Sequence, residues 1–139
     1  MMEFKRLDAS ARVPTRATQL SAAYDLYALE NTVLECNKVV KVRTGIAVQL
    51  PLGTCGLIKS RSSLALRGCE VLGGVIDADY RGELMVIINV VGGDSIAVNA
   101  GDRIAQLVPV QLYIGATREV AEFSRPEGDR VGGFGSTGK

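Results

Sequence analysis

Short β-branched runs, cut at close intervals by Gly, Pro, Asn and Asp, fill the middle of the chain, and this punctuation constrains the fold more than any other feature. Val39–Leu50 alternates in part. Val40, Val42, Ile46, Val48 and Leu50 lie on one side, and Lys41, Arg43, Ala47 and Gln49 lie opposite. Gly45 interrupts the run and reads as a bulge. Pro51-Leu52-Gly53 turns the chain into a second strand, Thr54–Lys59. Leu84–Val91 is almost continuously apolar, the pattern of a strand buried on both faces, and Val91-Gly92-Gly93-Asp94 reads as a hairpin turn after it. Ser95–Val98 and Arg103–Val110 follow, split by the turn Asn99-Ala100-Gly101-Asp102. Only Ser62–Arg67 has helical character. An all-β sandwich or barrel is expected.

At 139 residues the chain can bury one real core. Residues 1–123 form the expected domain. From Ser124 onward the sequence holds five glycines, one proline and one strongly apolar aromatic, Phe134. Residues 124–139 are therefore expected to be a mobile arm. A formal net charge of +1 supplies no field toward nucleic acid or an acidic membrane, and no stretch approaches the length of a membrane span. Met1–Arg6 lacks a hydrophobic leader, so secretion is not expected, and cytoplasm and nucleus both remain open. The three cysteines, Cys36, Cys55 and Cys69, have no metal-ligand spacing and read as reduced thiols.

There is no histidine. Ser-His-Asp and Cys-His catalysis and the usual zinc-hydrolase ligand sets are thereby excluded. Proton transfer would fall to Asp, Glu, Lys, Tyr or Cys. A carboxylate working with Mg²⁺, an ion that prefers oxygen ligands, is the simplest arrangement.

Five stretches could carry chemistry. Gly73–Leu84 reads Gly-Gly-Val-Ile-Asp-Ala-Asp-Tyr-Arg-Gly-Glu-Leu between two apolar runs, a β-hairpin with a polar end. Its opening glycines let a ligand approach the backbone, and Asp77 and Tyr80 stand beside them. An Asp-rich turn with a surface tyrosine reads equally well. Ser21–Tyr27 places Asp25 in an apolar strand, where it needs a hydrogen bond or a cation, or else caps a turn. Lys59–Ala65 joins cations to hydroxyls at a strand-to-helix junction. This suits a phosphate, unless Ser62 or Ser63 merely caps the helix. In Gly101–Leu107, Asp102 and Arg103 look structural, whereas Gln106 is a polar residue in an apolar strand and needs a partner. Arg130–Gly138 could wrap phosphates through its backbone and stack Phe134 on a base, or be a plain tail.

In this order and spacing the five stretches resemble the trimeric dUTPase family, over Ala22 to Gly138. Gly-Val-Ile-Asp-Ala-Asp-Tyr-Arg-Gly and Gly-Phe-Gly-Ser-Thr-Gly carry the resemblance, supported by Gly-Asp-Arg-Ile-Ala-Gln-Leu. It implies a jelly-roll or distorted-barrel fold, a homotrimer with active sites between subunits, and Mg²⁺-dependent splitting of dUTP into dUMP and pyrophosphate. This activity keeps uracil out of DNA and supplies dUMP. Asp77 would activate a water for attack on the α-phosphorus. Tyr80 would lie against the deoxyribose. Backbone groups of Gly74, Val75 and Ile76, and others near Met85, would read uracil. Arg61, Ser62, Ser63 and Gln106 would contact phosphates or the water. Asp25 would reach Mg²⁺ through water. Phe134 would close over uracil, with Gly135, Ser136 and Arg130 at the phosphates, the arm entering a neighbour's site.

Three positions depart from the family pattern. Ala23 and Ser63 stand where glycine is usual, and Arg130 is one residue nearer Phe134, a shift the arm is expected to absorb by bending. Two other activities fit part of the pattern: a dCTP deaminase, alone or combined with dUTPase, and a catalytically silent dUTP-binding protein.

Overall fold

The computed structural model describes residues 1–125, 132–135 and 138. Its strands, in chain order, are β1 (Glu3–Arg6), β2 (Tyr24–Tyr27), β3 (Thr32–Leu34), β4 (Val39–Arg43), β5 (Ile46–Gln49) and β6 (Thr54–Lys59). After the one-turn helix α1 (Ser62–Ala65) come β7 (Cys69–Leu72), β8 (Val75–Ile76), β9 (Met85–Val90), β10 (Ile96–Val98) and β11 (Arg103–Gln111). The fold is all-β, as expected. One sheet runs β2-β11-β6-β8 and another β4-β9-β7, with β1–β5 and β3–β10 as separate pairs. Every pairing between these strands is antiparallel, and an isolated parallel bridge joins Cys36 to Val90.

A single apolar cluster joins the two larger sheets. Leu26, Ile58 and Leu107 enter it from one, and Val42, Val86, Ile88 and Val90 from the other. Burial of this kind contributes about 1.5–3 kcal/mol for each large apolar side chain. No described helix is long and apolar enough to cross a membrane.

Three expectations are corrected. β9 is buried on one face only: Val86, Ile88 and Val90 point inward, whereas Ile87 is 36% exposed. Among the described residues of one chain, the outer face of that sheet stays exposed at Val39, Lys41 and Ile87, so a continuous apolar run does not by itself mean burial on both sides. Gly92-Gly93 does not close a hairpin, because β10 pairs with β3 and β9 with β4 and β7. Gly45 is not a bulge within one strand. It lies where the chain leaves the β4 sheet and begins β5, which pairs with β1.

That crossing is tied down by side chains. Thr44, 1% exposed, donates its hydroxyl to the Leu84 carbonyl at 2.7 Å and accepts the Ile46 N–H at 3.2 Å. Leu84 N–H in turn donates to the Ile46 carbonyl at 2.7 Å. The segment entering β9 is thus fastened to the segment between β4 and β5.

Beyond β11 the chain leaves the body. Residues 111–125 are exposed throughout, an exposed stretch that begins ahead of Ser124. The Leu112 N–H still donates to the Gly53 carbonyl at 2.9 Å.

Candidate active site

The stretch Gly73–Leu84 is the connection of the β7–β9 hairpin, whose last pair is Leu72↔Ile87. It is more than a turn. Gly73 and Gly74 take left-handed φ of 61° and 82°, and the chain swings out of the β7 sheet to pair β8 with β6. At Gly74 a side chain would be strained by φ alone, and a Cβ would fall 2.8 Å from the Ile58 carbonyl oxygen. Gly73, Gly74 and Met85 therefore flank the point where the hairpin strands separate. Val75 is 63% exposed, Ile76 and Met85 are half-buried, and Asp77 is exposed just past the end of β8.

Asp77 begins a tight turn, its carbonyl accepting the Tyr80 N–H at 3.1 Å. Tyr80 folds back so that its hydroxyl donates to the Glu83 carbonyl at 2.9 Å, and it remains 42% exposed. Glu83 anchors the loop. Its Oε1 accepts the Gly45 N–H at 2.6 Å, and Oε2 stands 3.3 Å from Arg43 Nε.

A second cluster forms across β2, β11 and β6, where Asp25, Gln106 and Lys59 sit side by side in register. Asp25 has the cations its burial calls for. Its Oδ1 is 3.3 Å from Arg61 Nε and its Oδ2 is 3.8 Å from Arg103 Nη1. Gln106 also has its partner, since Nε2 donates to the Ser60 carbonyl at 2.9 Å. Ser60 Oγ accepts the Val71 N–H at 3.1 Å, joining this junction to β7. The N-cap residue of α1 is Arg61, which makes no side-chain capping bond, so neither Ser62 nor Ser63 caps the helix, and both serines are exposed. Arg61, Ser63, Arg67 and Arg103, with the acid Asp102 beside them, border a depression of about 300 Å³, where three guanidinium groups outweigh one carboxylate and suit an anion.

The two clusters occupy opposite ends of β6. Ile76 pairs with Gly56, which puts Asp77 level with Cys55, whereas Gln106 pairs with Lys59, next to Arg61. At about 3.3 Å per residue, Asp77 and Arg61 of one chain stand roughly 20 Å apart.

Arg103 reads as structural in the sequence, and the pair Gly82–Glu83 carries no role there. Arg103 supplies Asp25 with a second cation and offers its carbonyl to Arg61 Nη1 at 3.3 Å. The lone acid in β2 was the available signal, since a buried carboxylate requires such neighbours. Ala23 is half-buried at the edge of β2. Phe134 and Gly135 are exposed, and Arg130 and Ser136 lie outside the described residues. The thiols are free. Cys55 and Cys69 are buried, and burial pushes the Cys69 thiol pKa up, only partly countered by Arg67. Among the described residues no group of three His, Cys, Asp or Glu side chains could hold a metal by itself.

A protein-family model described as dUTPase matches residues 9–138. The deoxyuridine 5'-triphosphate nucleotidohydrolase of Debaryomyces hansenii is 42% identical over 132 residues, covering 94% of this chain and 82% of that protein. Its counterpart from Paramecium bursaria Chlorella virus 1 is 40% identical over 138 residues, covering 96% of this chain and 95% of that one. Among solved structures, a point variant of the Staphylococcus bacteriophage 80alpha dUTPase with dUpNHpp aligns at TM-score 0.93 and 28% identity, covering 100% of this chain and 99% of that one. A variant dUTPase from phage phi11 of S. aureus, solved for its coordination of a structural Mg(II) ion, aligns at TM-score 0.83 and 28% identity, covering 90% and 99%.

Proposed function

The chain belongs to the dUTPase family, and from that premise we propose how its residues share the hydrolysis of dUTP to dUMP and pyrophosphate. Asp77 takes a proton from a water whose oxygen bonds to the α-phosphorus. The bond from that phosphorus to the oxygen bridging to the β-phosphate breaks, and pyrophosphate leaves. An exposed carboxylate on a turn tied by the Tyr80 N–H fits this role, because it is positioned without being covered. Backbone groups of Gly74, Val75 and Ile76, with Met85 opposite, read uracil. The Tyr80 ring lies against the deoxyribose and leaves no room for a 2′-hydroxyl.

Arg61, Ser62, Ser63 and Gln106 hold the phosphate end. The depression that Arg61 and Ser63 border with Arg67 and Arg103, and with Asp102, supports the assignment for Arg61 and Ser63. Asp25 fits an outer-sphere partner of Mg²⁺. Each of its oxygens already faces a guanidinium, yet each keeps a lone pair for a metal-bound water. Mg²⁺, when bound to the triphosphate, supplies neutralisation of its charge. Phe134 stacks over uracil and Gly135, Ser136 and Arg130 embrace the phosphates, the arm closing as a lid.

The observation that carries this reading is the separation along β6. Asp77 and the Asp25–Arg61 cluster are too far apart on one chain to act on one α-phosphate. This separation supports the reading that the site is built between subunits of a homotrimer, Asp77 from one and the phosphate cluster from another. The free thiols accord with a cytoplasmic or nuclear location.

Pyrophosphate release measured across dUTP, dTTP, dCTP and UTP tests the activity. dUTP is expected to be turned over far faster than the other three. Ammonia release from dCTP would instead identify a deaminase, and binding of dUTP without turnover a silent relative.

A further inference from the structure

We propose that Gly82 is a specificity-positioning residue, the seat that fixes the Tyr80 ring and through it sets discrimination between deoxyribose and ribose. The inference rests on the placement of Tyr80 against the sugar. A Cβ at position 82 would fall 2.4 Å from Tyr80 Oη, 2.6 Å from Cζ and 3.0 Å from Cε2. Only a hydrogen fits there. The backbone does not demand glycine, because Gly82 is absent from the residues with positive φ, unlike Gly73 and Gly74. The glycine serves the contact with the ring.

The seat cannot give way easily. Next to it, Glu83 is held through its carboxylate by the Gly45 N–H and Arg43, and Leu84 by hydrogen bonds to Ile46 and Thr44. Tyr80 is 42% exposed and is the movable partner. To restore ordinary contact its phenol end would shift by roughly 1 Å. That shift draws the hydroxyl from the Glu83 carbonyl, 2.9 Å away, and releases the ring. A wall that excludes one oxygen atom works only while it is held to within a fraction of an ångström, so a ribose nucleotide then gains access.

The test is the ratio of kcat/KM for dUTP to kcat/KM for UTP in the wild type, Gly82→Ala, Tyr80→Ala and the double variant, each checked for an unchanged melting temperature. Gly82→Ala is expected to lower the ratio roughly tenfold or more. Tyr80→Ala lowers it too, and the double variant matches Tyr80→Ala alone, because the methyl acts only through the ring. General damage to the fold would depress both substrates together and leave the ratio in place. An unchanged ratio in Gly82→Ala, or a further fall in the double variant, overturns the inference while leaving the role of Tyr80 intact. An unchanged ratio in Tyr80→Ala removes that role and the inference with it.

Discussion

Arg61 Nε stands 3.3 Å from Asp25 Oδ1, joining the segment after β6 to the middle of β2. The side chains are 24% and 16% exposed, so the contact is shielded on both sides. Arg103 approaches the other oxygen at 3.8 Å, which makes Asp25 the one anion between two guanidinium groups. Asp25→Asn keeps the shape and removes the charge. It is expected to cost about 1–2 kcal/mol in a urea melt, as lost charge-assisted bonds do. Activity should suffer more, with kcat/KM for dUTP falling about 100-fold or further, because the arginines lose their alignment and, in the role proposed for Asp25, the metal would lose its outer partner. Half-saturation should also move to higher Mg²⁺. An unaltered Mg²⁺ dependence would remove Asp25 from the metal's surroundings.

Thr44 makes a separate test of how the loop is fastened. Its hydroxyl joins Leu84 and Ile46 in a setting that admits almost no water. Thr44→Val keeps the volume, strips both bonds and leaves the Leu84 carbonyl without that donor. The expected loss is about 1–3 kcal/mol, read as a lower urea midpoint with unchanged slope. A loss smaller than about 0.5 kcal/mol would mean that the fastening adds nothing beyond packing.

Chain truncation after Pro126 separates lid from scaffold. Phe134 lies fully exposed, and among the described residues the last strand ends at Gln111. Truncation should leave the melting temperature within about 2 °C of the full chain, whereas kcat/KM should drop by about two orders of magnitude. Full turnover by the truncated protein would show that the arm is no lid.

Local pattern identified strands, and distant pairing decided what they do. Thr54–Lys59 forms β6 with the bounds read from the sequence, because its turn before and junction after are written in neighbouring residues. The same logic failed at Gly92-Gly93, where the strand that follows pairs with β3 far back in the chain. The acid Asp25 announced a need for a cation without saying that Arg61 and Arg103 would meet it, since both arrive through sheet register. Asp77 and Tyr80 stood out in the sequence as candidates for chemistry. Gly82 did not, because its contact with a ring two residues away is revealed only by the folded loop.

The separation along β6 makes a prediction that does not depend on any single role. Asp77→Asn and Arg61→Ala should each be inactive as homotrimers, Asp77→Asn while still binding dUTP, since its exposed carboxylate supports no packing. If one site draws Asp77 from one subunit and Arg61 from another, mixed trimers contain sites with both residues intact. Co-expression in equal amounts should then restore about a quarter of the wild-type sites, because each site samples two subunits independently. Pairing Asp77→Asn with the double variant Asp77→Asn/Arg61→Ala offers no intact aspartate and should restore nothing. Mixed trimers verified by mass yet inactive would mean that one chain carries both residues of its own site. The register of β8 and β11 on β6 would then have to differ from Ile76↔Gly56 and Gln106↔Lys59, for these pairings hold the two groups at opposite ends of one strand.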